Sequence, residues 1–438
     1  MSSGATVAAG AAYLKRMYSP DYVTNTFAKK ESRVFNQVKR KTDGAGDSFN
    51  FMQEYSENPS GSADFTKAQA MGQAAMTAAK QFSVPYYDEF SLFSVSGGFI
   101  ARTKRKEGGW LPALKDQTDS SFRLAHHRKS VGFYTSGWGE LGQVSSPGAS
   151  TTLTLTKKSH IYRFYQGQKL VLAEELNTTV LRNSGAVGTV SGVNYDAGTL
   201  TMAANVTTTW AAAATGDWIF TDGDRQDSAT PAKLRMTGLG CAPISDYGTA
   251  PTTIGSGFGW VPAAAPAASE SFFGVDRSTN SYLYGRIINL VSTPMSLIAA
   301  LTTGAQTASS IGNAETLLGV MSPTNFTALS NSMQGQARYT EMKGRGGVSF
   351  KTIVVYADGI EMPIISDKYC PDEVIYGLDP STIQYISCGE APALDDSDGN
   401  TILRQASDNG VEGRIVSYET LVHRNPASSF VILTGSTT

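Results

Sequence analysis

Three glycines in this sequence have the spacing of a dinucleotide-binding loop. Gly137-Trp138-Gly139-Glu140-Leu141-Gly142 fits the pattern GxGxxG. The motif binds a pyrophosphate only when a strand precedes it and a helix begins after it, because the backbone N–H groups must then point at the phosphates. Here a predicted helix precedes the glycines and a Pro-Gly loop follows them. The reversed order predicts no cofactor at this place.

The histidines and cysteines form no recognisable metal or nucleophile motif. His126 and His127 are adjacent, and neighbouring side chains on a helix point about 100° apart, so we expect a solvated helix face there. His160 and His423 are distant in sequence. An odd number of cysteines without a CxxC pair leaves at least one unpaired, which argues against a disulfide framework; they are Cys241, Cys370 and Cys388.

An acidic run, Thr221-Asp222-Gly223-Asp224-Arg225-Gln226-Asp227, resembles the beginning of a calcium loop. It lacks the glutamate that closes an EF-hand, and a hairpin turn explains it better. Phosphate-binding loops, HExxH and GxSxG are absent from the sequence. The sequence therefore predicts a protein that is no enzyme, with no cofactor and no metal.

Two basic segments have the charge needed to contact phosphates without reading a sequence. The first is Arg102-Thr103-Lys104-Arg105-Lys106 and the second is Arg128-Lys129. No interleaved aromatic side chains accompany them, so sequence-specific recognition is not supported. A solvated charged face is the alternative for both. The residues that we predict to face DNA are Arg102, Lys104, Arg105 and Lys106.

The composition favours several domains and surfaces that are covered by other molecules. The chain has 438 residues, and single cores stop growing before about 300 residues. Charged residues make up 17%, against roughly 25% in typical soluble domains. The first 147 residues hold 18 Lys and Arg against 13 Asp and Glu, while the rest holds 18 against 25. No stretch approaches the roughly 20 apolar residues that span a membrane.

The N-terminal third predicts an arm followed by a long hairpin. Residues 1 to 44 form a basic arm with little core of its own, and alternating apolar residues predict strands over 49–55 and 81–95. The stretch between them, residues 56 to 80, contains only three large apolar side chains: Phe65, Met71 and Met76. A hairpin without an apolar face is not stable by itself, so this one must lie on another molecule or remain mobile.

The rest of the chain predicts an α+β protein with an all-β insert. Apolar residues at three- and four-residue steps over 109–135 predict one long helix. Short Thr- and Val-rich strands with Gly-containing turns over 150–235 predict a small antiparallel domain that folds alone. Two helices and a series of longer strands follow.

In this order the elements resemble the major capsid proteins of tailed double-stranded DNA bacteriophages, which have the Hong Kong 97-like fold. Local phrases support the resemblance: Leu234-Arg235-Met236-Thr237-Gly238-Leu239, Phe273-Gly274-Val275-Asp276-Arg277-Ser278 and Leu318 to Leu329. Residues 416 to 433 are similar to the final strands of that family. No Lys-Asn cross-linking pair of the family is identified.

The resemblance implies a division of the chain into named parts. They are an N-terminal arm (1–44), an extended loop (45–90), a peripheral domain with a spine helix (91–147 and 394–438), an inserted β-domain (148–244) and an axial domain (245–393). The implied function is a structural subunit that assembles into hexamers and pentamers of an icosahedral head around double-stranded DNA.

The implied partners are many copies of the same chain, scaffolding, portal and decoration proteins, and non-specifically bound DNA, with no membrane. The implied location is the virion capsid, assembled in the host cytoplasm. Three alternatives stay open at this point. They are a β-rich tail or receptor-binding structural protein, a cargo-enclosing bacterial shell protein of the same fold, and a cytosolic hydrolase with an unrecognised site.

Overall fold

The computed structural model describes residues 32 to 434, apart from 59, 75–76, 104–112, 149, 177–178, 230, 241–258, 263–264, 267–270, 333–338, 344–348, 398 and 406–408. Its N-terminal elements are β1 (Lys39–Lys41), β2 (Ser48–Ser56), α1 (Phe65–Ala74), β3 (Ala78–Pro85), β4 (Tyr87–Ser96), α2 (Gly97–Thr103) and α3 (Ala113–Gly132). Strands β2 and β3 form the predicted hairpin, with Ser48 opposite Pro85 and Ser56 opposite Ala78.

Helix α1 lies between the two strands of the hairpin, where the sequence predicted no regular element. Asp64 caps it, because its Oδ1 accepts hydrogen bonds from the backbone N–H groups of Thr66 (2.9 Å) and Lys67 (3.3 Å). The segment is rich in Ala and Gln, which are good helix formers. We missed the helix because its few apolar residues do not mark out a buried face.

The described end of the arm is part of the core, which differs from the prediction of an arm with little core. Phe35 is fully buried, and its ring lies 5.6 Å from that of Phe133 and 5.0 Å from that of Tyr385. The backbone N–H of Ser32 donates to Oγ of Ser130 on α3 at 2.9 Å. Apolar residues at 34, 35 and 38 thus attach residues 32 to 38 to the subunit.

The middle of the chain forms a closed antiparallel barrel, in the strand order β10-β5-β6-β9-β8-β7. Its elements are β5 (Glu140–Ser146), β6 (Thr152–Leu155), β7 (Lys169–Ala173), β8 (Gly188–Asn194), β9 (Thr199–Met202), α4 (Val206–Thr209) and β10 (Trp218–Thr221). The pairing of β7 with β10 closes the ring.

The barrel begins before the predicted boundary at residue 148, because β5 precedes it. A segment cut at residue 150 would lack β5 and would leave β10 and β6 without the strand that joins them. We had interpreted the glycines at 137 and 139 as the end of a helix. Both have positive φ angles, and they turn the chain from α3 into β5. The GxGxxG pattern therefore follows a helix and leads into a strand.

Two large sheets and one small sheet of two strands complete the subunit. The elements are β11 (Ser271–Phe272), β12 (Val275–Asp276), β13 (Arg286–Asn289), α5 (Leu297–Gly312), β14 (Leu318–Met321), α6 (Pro323–Ser332), β15 (Tyr339–Lys343), β16 (Ser349–Ala357), β17 (Ile360–Ser366), β18 (Val374–Leu378), β19 (Ile383–Ser387), β20 (Ala393–Leu394), β21 (Leu403–Arg404), β22 (Gly410–His423) and β23 (Phe430–Leu433). One sheet has seven strands, in the order β13-β23-β18-β14-β17-β16-β15, and the other has six strands around β22.

The predicted division at residue 393 does not follow these sheets. Strand β19 comes before residue 393 but pairs with β22 in the six-stranded sheet. Strand β23 comes after it but lies between β13 and β18 in the seven-stranded sheet. Strand pairing depends on long-range contacts, which the order of elements along the chain does not determine.

Buried apolar residues form one large cluster that joins the base of the hairpin, α3, the barrel and the six-stranded sheet. A second cluster lies between α5 and the seven-stranded sheet. Inside the barrel, Leu153, Leu200 and Trp210 are fully buried. They belong to the first cluster, so the barrel interior is continuous with the core of the body. Within the described residues, no helix is long and apolar enough to cross a membrane.

Candidate assembly surface

The base of the hairpin is anchored in its own subunit. Phe51 of β2 and Phe82 of β3 stand opposite each other, and their rings stack at 5.1 Å. Trp260 packs 6.1 Å from Phe51 and 5.9 Å from Phe82, and its Nε1 donates to the backbone oxygen of Leu421 at 3.0 Å. Because these rings are buried, the orientation of the hairpin is fixed at its base.

We define the tip of the hairpin as residues 57 to 77, and most of the described residues in this range are exposed. Phe65 at the beginning of α1 is 81% exposed, and Met71 in the same helix is 37% exposed. The side chain nearest to Gly72 is that of Ser60 in the same loop. Met76, the third predicted contact residue, lies outside the described residues. The helix thus carries one aromatic side chain, that of Phe65, which the described subunit leaves largely uncovered.

A second exposed apolar surface lies on the six-stranded sheet. Phe90 and Leu92 of β4 are 53% and 61% exposed, and Tyr418 of β22 lies beside them. The rings of Phe90 and Tyr418 meet edge to face, with their centres 6.4 Å apart. We call Phe90, Leu92 and Tyr418 the outer apolar face. Sequence reasoning missed this face, because β4 has apolar residues on both of its faces.

Of the four basic residues predicted to face DNA, the structure describes one. Arg102 lies in the last turn of α2 and is exposed. Lys104, Arg105 and Lys106 lie outside the described residues. The prediction of a shared phosphate-binding surface at these four positions stays a prediction.

The other basic segment, Arg128-Lys129, lies inside the subunit, so the interpretation of a solvated or phosphate-binding face was wrong there. Arg128 Nε donates to Glu89 Oε1 at 2.7 Å and its Nη2 donates to Asp224 Oδ1 at 2.8 Å. Arg235 approaches the same two carboxylates, at 3.1 Å from Glu89 and 4.0 Å from Asp224. Each acid therefore lies between two guanidinium groups, and we call these four residues the charged ring.

The electrostatics of the charged ring follow from this arrangement. Burial by itself would raise the pKa of Glu89, but the charges of Arg235 and Arg128 and their hydrogen bonds hold it at about 2. The two carboxylates raise the pKa of Arg128 although its burial opposes this. Glu89 and Arg128 are therefore both ionised at neutral pH.

Lys129, the next residue of α3, points to the other side of the helix. Its Nζ lies 3.1 Å from Glu419 Oε2 and donates to the backbone oxygen of Ala391 at 3.1 Å. It also lies 4.6 Å from the ring centre of Tyr385, whose hydroxyl donates to the same Glu419 carboxylate. Burial raises the pKa of Glu419, and the ammonium of Lys129 opposes that shift.

His127 is buried as well, which corrects the prediction of a solvated face. Its Nδ1 lies 3.1 Å from the hydroxyl of Tyr369, and its Nε2 lies 3.2 Å from the backbone oxygen of Arg163 in the barrel. Burial lowers the pKa of His127 to about 4 and that of His423 to about 3. These histidines are neutral at pH 7, and His127 joins α3, the barrel and the segment before β18.

Within the residues that the structure describes, no group of three or more His, Cys, Asp or Glu is placed to hold a metal ion. Cys370 is buried and Cys388 is partly exposed, and both are free thiols. Burial raises the pKa of the Cys370 thiol well above its usual value, which makes it a poor nucleophile. Cys241 lies outside the described residues.

The body has two large sheets, helix α3 packs on the six-stranded one, and the hairpin is anchored at its base. Together these features define the Hong Kong 97-like capsid fold. The structure of the cyanophage A-1(L) capsid asymmetric unit is similar to this chain with a TM-score of 0.53 and 12% identity, over 95% of both chains. The structure from Mycobacterium phage Bobi has a TM-score of 0.42 and 10% identity, over 98% of this chain and 99% of the other. The predicted α+β fold is confirmed.

At the level of sequence, no protein-family model and no curated protein matches this chain. The similarity is therefore one of three-dimensional fold. The sequence identity is low, so this chain and the two phage structures share few side chains.

Proposed function

We propose that this chain is the major capsid protein of a tailed bacteriophage, a structural protein that assembles from many copies into a closed head around double-stranded DNA. The fold it shares with a cyanophage capsid supports this proposal. The observation that carries it is the hairpin, with a base buried among Phe51, Phe82 and Trp260 and a tip at which Phe65 is 81% exposed in the described subunit.

Ordering the tip of the hairpin costs free energy. Fixing a residue's backbone costs roughly 1 to 2 kcal/mol, and contacts must compensate for this cost. A fully buried Phe side chain contributes roughly 1.5 to 3 kcal/mol, but Phe65 is 81% exposed and gains little of this in the single subunit. Contacts with adjacent copies would supply the missing burial. The tip therefore serves assembly in this account.

The domains have roles in the proposal that follow from the resemblance. The seven-stranded sheet with α5 corresponds to the axial domain at the centres of rings of six and five copies. The six-stranded sheet with α3 corresponds to the peripheral domain at the ring edges, and the barrel is the insert. Closed rings require heterologous contacts whose rotation closes, which suits a hairpin that reaches one neighbour in a fixed direction.

Electron microscopy and sedimentation of the purified chain test the proposal. We expect closed shells whose protein rings contain six and five subunits. A trimer or an open tube would instead support the tail or receptor-binding alternative. A monodisperse monomer at all concentrations would contradict the capsid proposal. Shells that carry a protein cargo and no DNA when isolated from the native host would favour a cargo-enclosing shell.

The basic segment that includes Arg102 is proposed to face the DNA inside the shell. Replacing Arg102, Lys104, Arg105 and Lys106 by Gln removes four positive charges without adding apolar surface. Empty shells should then form normally, while DNA-filled particles should be fewer or less stable, because fewer phosphates are neutralised. Particle counts in density gradients measure both. Unchanged DNA-filled particles would contradict this part of the proposal.

Scaffolding, portal and decoration proteins are the further partners that the proposal implies. Co-purification with immature shells tests for a scaffolding protein. The proposed location is the virion capsid, with assembly in the host cytoplasm.

A further inference from the structure

The charged ring lies where the barrel joins the rest of the subunit. Arg128 belongs to α3 and Glu89 to β4, both in the body. Asp224 comes directly after β10, the last strand of the barrel, and Arg235 lies in the segment that leads back to the body. The four side chains are 9 to 16% exposed. Two acids and two arginines give the ring a net charge of zero.

The two chain segments that connect the barrel to the body run side by side at this ring. The backbone N–H of Arg235 donates to the oxygen of Gly137 at 3.3 Å. Those of Gly238 and Leu239 donate to the oxygens of Thr135 (3.0 Å) and Phe133 (2.9 Å). We call these three hydrogen bonds the neck. Arg235 Nη2 also donates to the backbone oxygen of Arg128 at 3.3 Å, which ties the neck to α3.

A buried ion pair is weak evidence for stability, because desolvation of the charges offsets most of their attraction. Apolar side chains of similar volume would serve stability as well. A ring of alternating charges differs from an apolar contact, because all of its ion pairs form only in one relative position of the four side chains. The ring therefore suits a role in positioning.

We propose that Glu89, Arg128, Asp224 and Arg235 form an ionic clamp that fixes the barrel against helix α3, and that opening the clamp loosens this junction while the barrel stays folded. The barrel keeps its shape when the neck opens, because its strands close a ring of hydrogen bonds around buried apolar side chains. The inference concerns the isolated subunit and holds whether or not the chain forms shells.

Hydrogen exchange of the full chain tests the clamp. The change Asp224→Asn removes the barrel's carboxylate from the ring and keeps the side chain's shape. We expect the amides of Arg235, Gly238 and Leu239 to exchange about tenfold faster or more, which corresponds to a loss of about 1.4 kcal/mol of protection. The amides of Leu155 and Met202, which bond to Gly198 and Thr151 inside the barrel, should keep their rates.

A matched control lies within the barrel itself. Asp217 accepts two hydrogen bonds from Arg182, at 2.9 and 2.8 Å, and both residues belong to the barrel. The change Asp217→Asn also removes a buried carboxylate, but we expect it to leave the neck amides at their wild-type rates. Equal acceleration of the neck by both variants would show a general loss of stability and would overturn the clamp.

A double variant separates the clamp from a simple charge imbalance. Asp224→Asn alone leaves the ring with an extra positive charge, which the additional change Arg235→Met removes. If the clamp is correct, the neck still exchanges fast in the double variant, because the carboxylate that links the barrel to Arg128 is missing. Restoration of slow exchange would overturn the clamp.

The wild-type chain gives a readout that does not depend on any variant. The three neck amides should share one opening free energy, below that of the barrel amides of Leu155 and Met202. A single opening free energy for the neck and the barrel would show that they unfold together, which contradicts a barrel that stays folded when the neck opens.

Discussion

The hairpin and the barrel both extend from the same body, but they differ in how their strands are paired. The barrel closes on itself, so each of its strands is paired on both sides, and the charged ring and neck hold its junction. The hairpin is a sheet of only two strands, with one buried end and an exposed helix. A protruding element whose backbone groups pair with each other stabilises its own subunit. A protruding element that leaves an apolar side chain exposed indicates contact with a neighbouring molecule.

The largest expected effect on stability lies in the barrel. Trp210 is fully buried, its Nε1 donates to the oxygen of Ala186 at 2.7 Å, and its ring packs on Gly188. The change Trp210→Ala should lower the free energy of unfolding by about 3 to 5 kcal/mol, because it opens a large cavity. Urea unfolding measures it. Val187→Ala, at an exposed barrel position, is the control and should cost less than about 0.5 kcal/mol.

The next effect concerns pH and the junction at His127. The unfolded chain binds a proton at this histidine near pH 6.5, but the folded chain binds it only near pH 4. Stability should therefore fall as the pH decreases from 6.5 to 4, by about 3 kcal/mol in total from this group. Lys368 and Arg128 face His127 and disfavour its protonation, while Glu89 favours it.

The variant His127→Gln isolates this contribution. Gln keeps a side chain that can hydrogen-bond to the Arg163 oxygen but does not titrate. The slope of unfolding free energy against pH between 6.5 and 4 should be smaller than in the wild type, by up to about 1.4 kcal/mol per pH unit. His423 remains in both proteins as an internal reference. Equal slopes would show that His127 is already charged or exposed in the folded subunit.

The smallest effect on the subunit is expected at the hairpin tip. Phe65→Ser should change the free energy of unfolding by less than about 0.5 kcal/mol, since the ring is exposed. Phe82→Ala at the buried base should cost about 3 to 5 kcal/mol in the same experiment. A large loss of stability for Phe65→Ser would show that the tip packs on its own subunit, which would remove the contrast between tip and base.

The sequence was enough to predict the hairpin, α3 and the β-rich insert, because each has a local pattern. Alternation marked β2, and steps of three and four residues marked α3. The sequence did not show the charged ring, since Glu89, Arg128, Asp224 and Arg235 are far apart along the chain. In the sequence, Arg128 and Lys129 look like surface residues, because their carboxylate partners come close to them only in the folded chain.

The domain boundaries were harder to predict for the same reason. Strand β5 belongs to the barrel because it pairs with β6 and β10. The residues of β5 do not by themselves reveal these partners. Strands β19 and β23 are similarly assigned to sheets by partners that are distant in sequence. For the candidate assembly surface, low apolar content indicated the tip, but the outer apolar face required the structure.

Replacement of the hairpin tip tests whether the hairpin joins neighbouring copies. Residues 56 to 80 are exchanged for a short Gly-Ser turn, which keeps the buried Phe51 and Phe82 at the base. We expect a subunit that unfolds cooperatively, like the wild type, but sediments as free subunits or isolated rings with no closed shells in electron microscopy. Shells of wild-type number and stability from this variant would contradict the claim that the hairpin joins neighbouring copies.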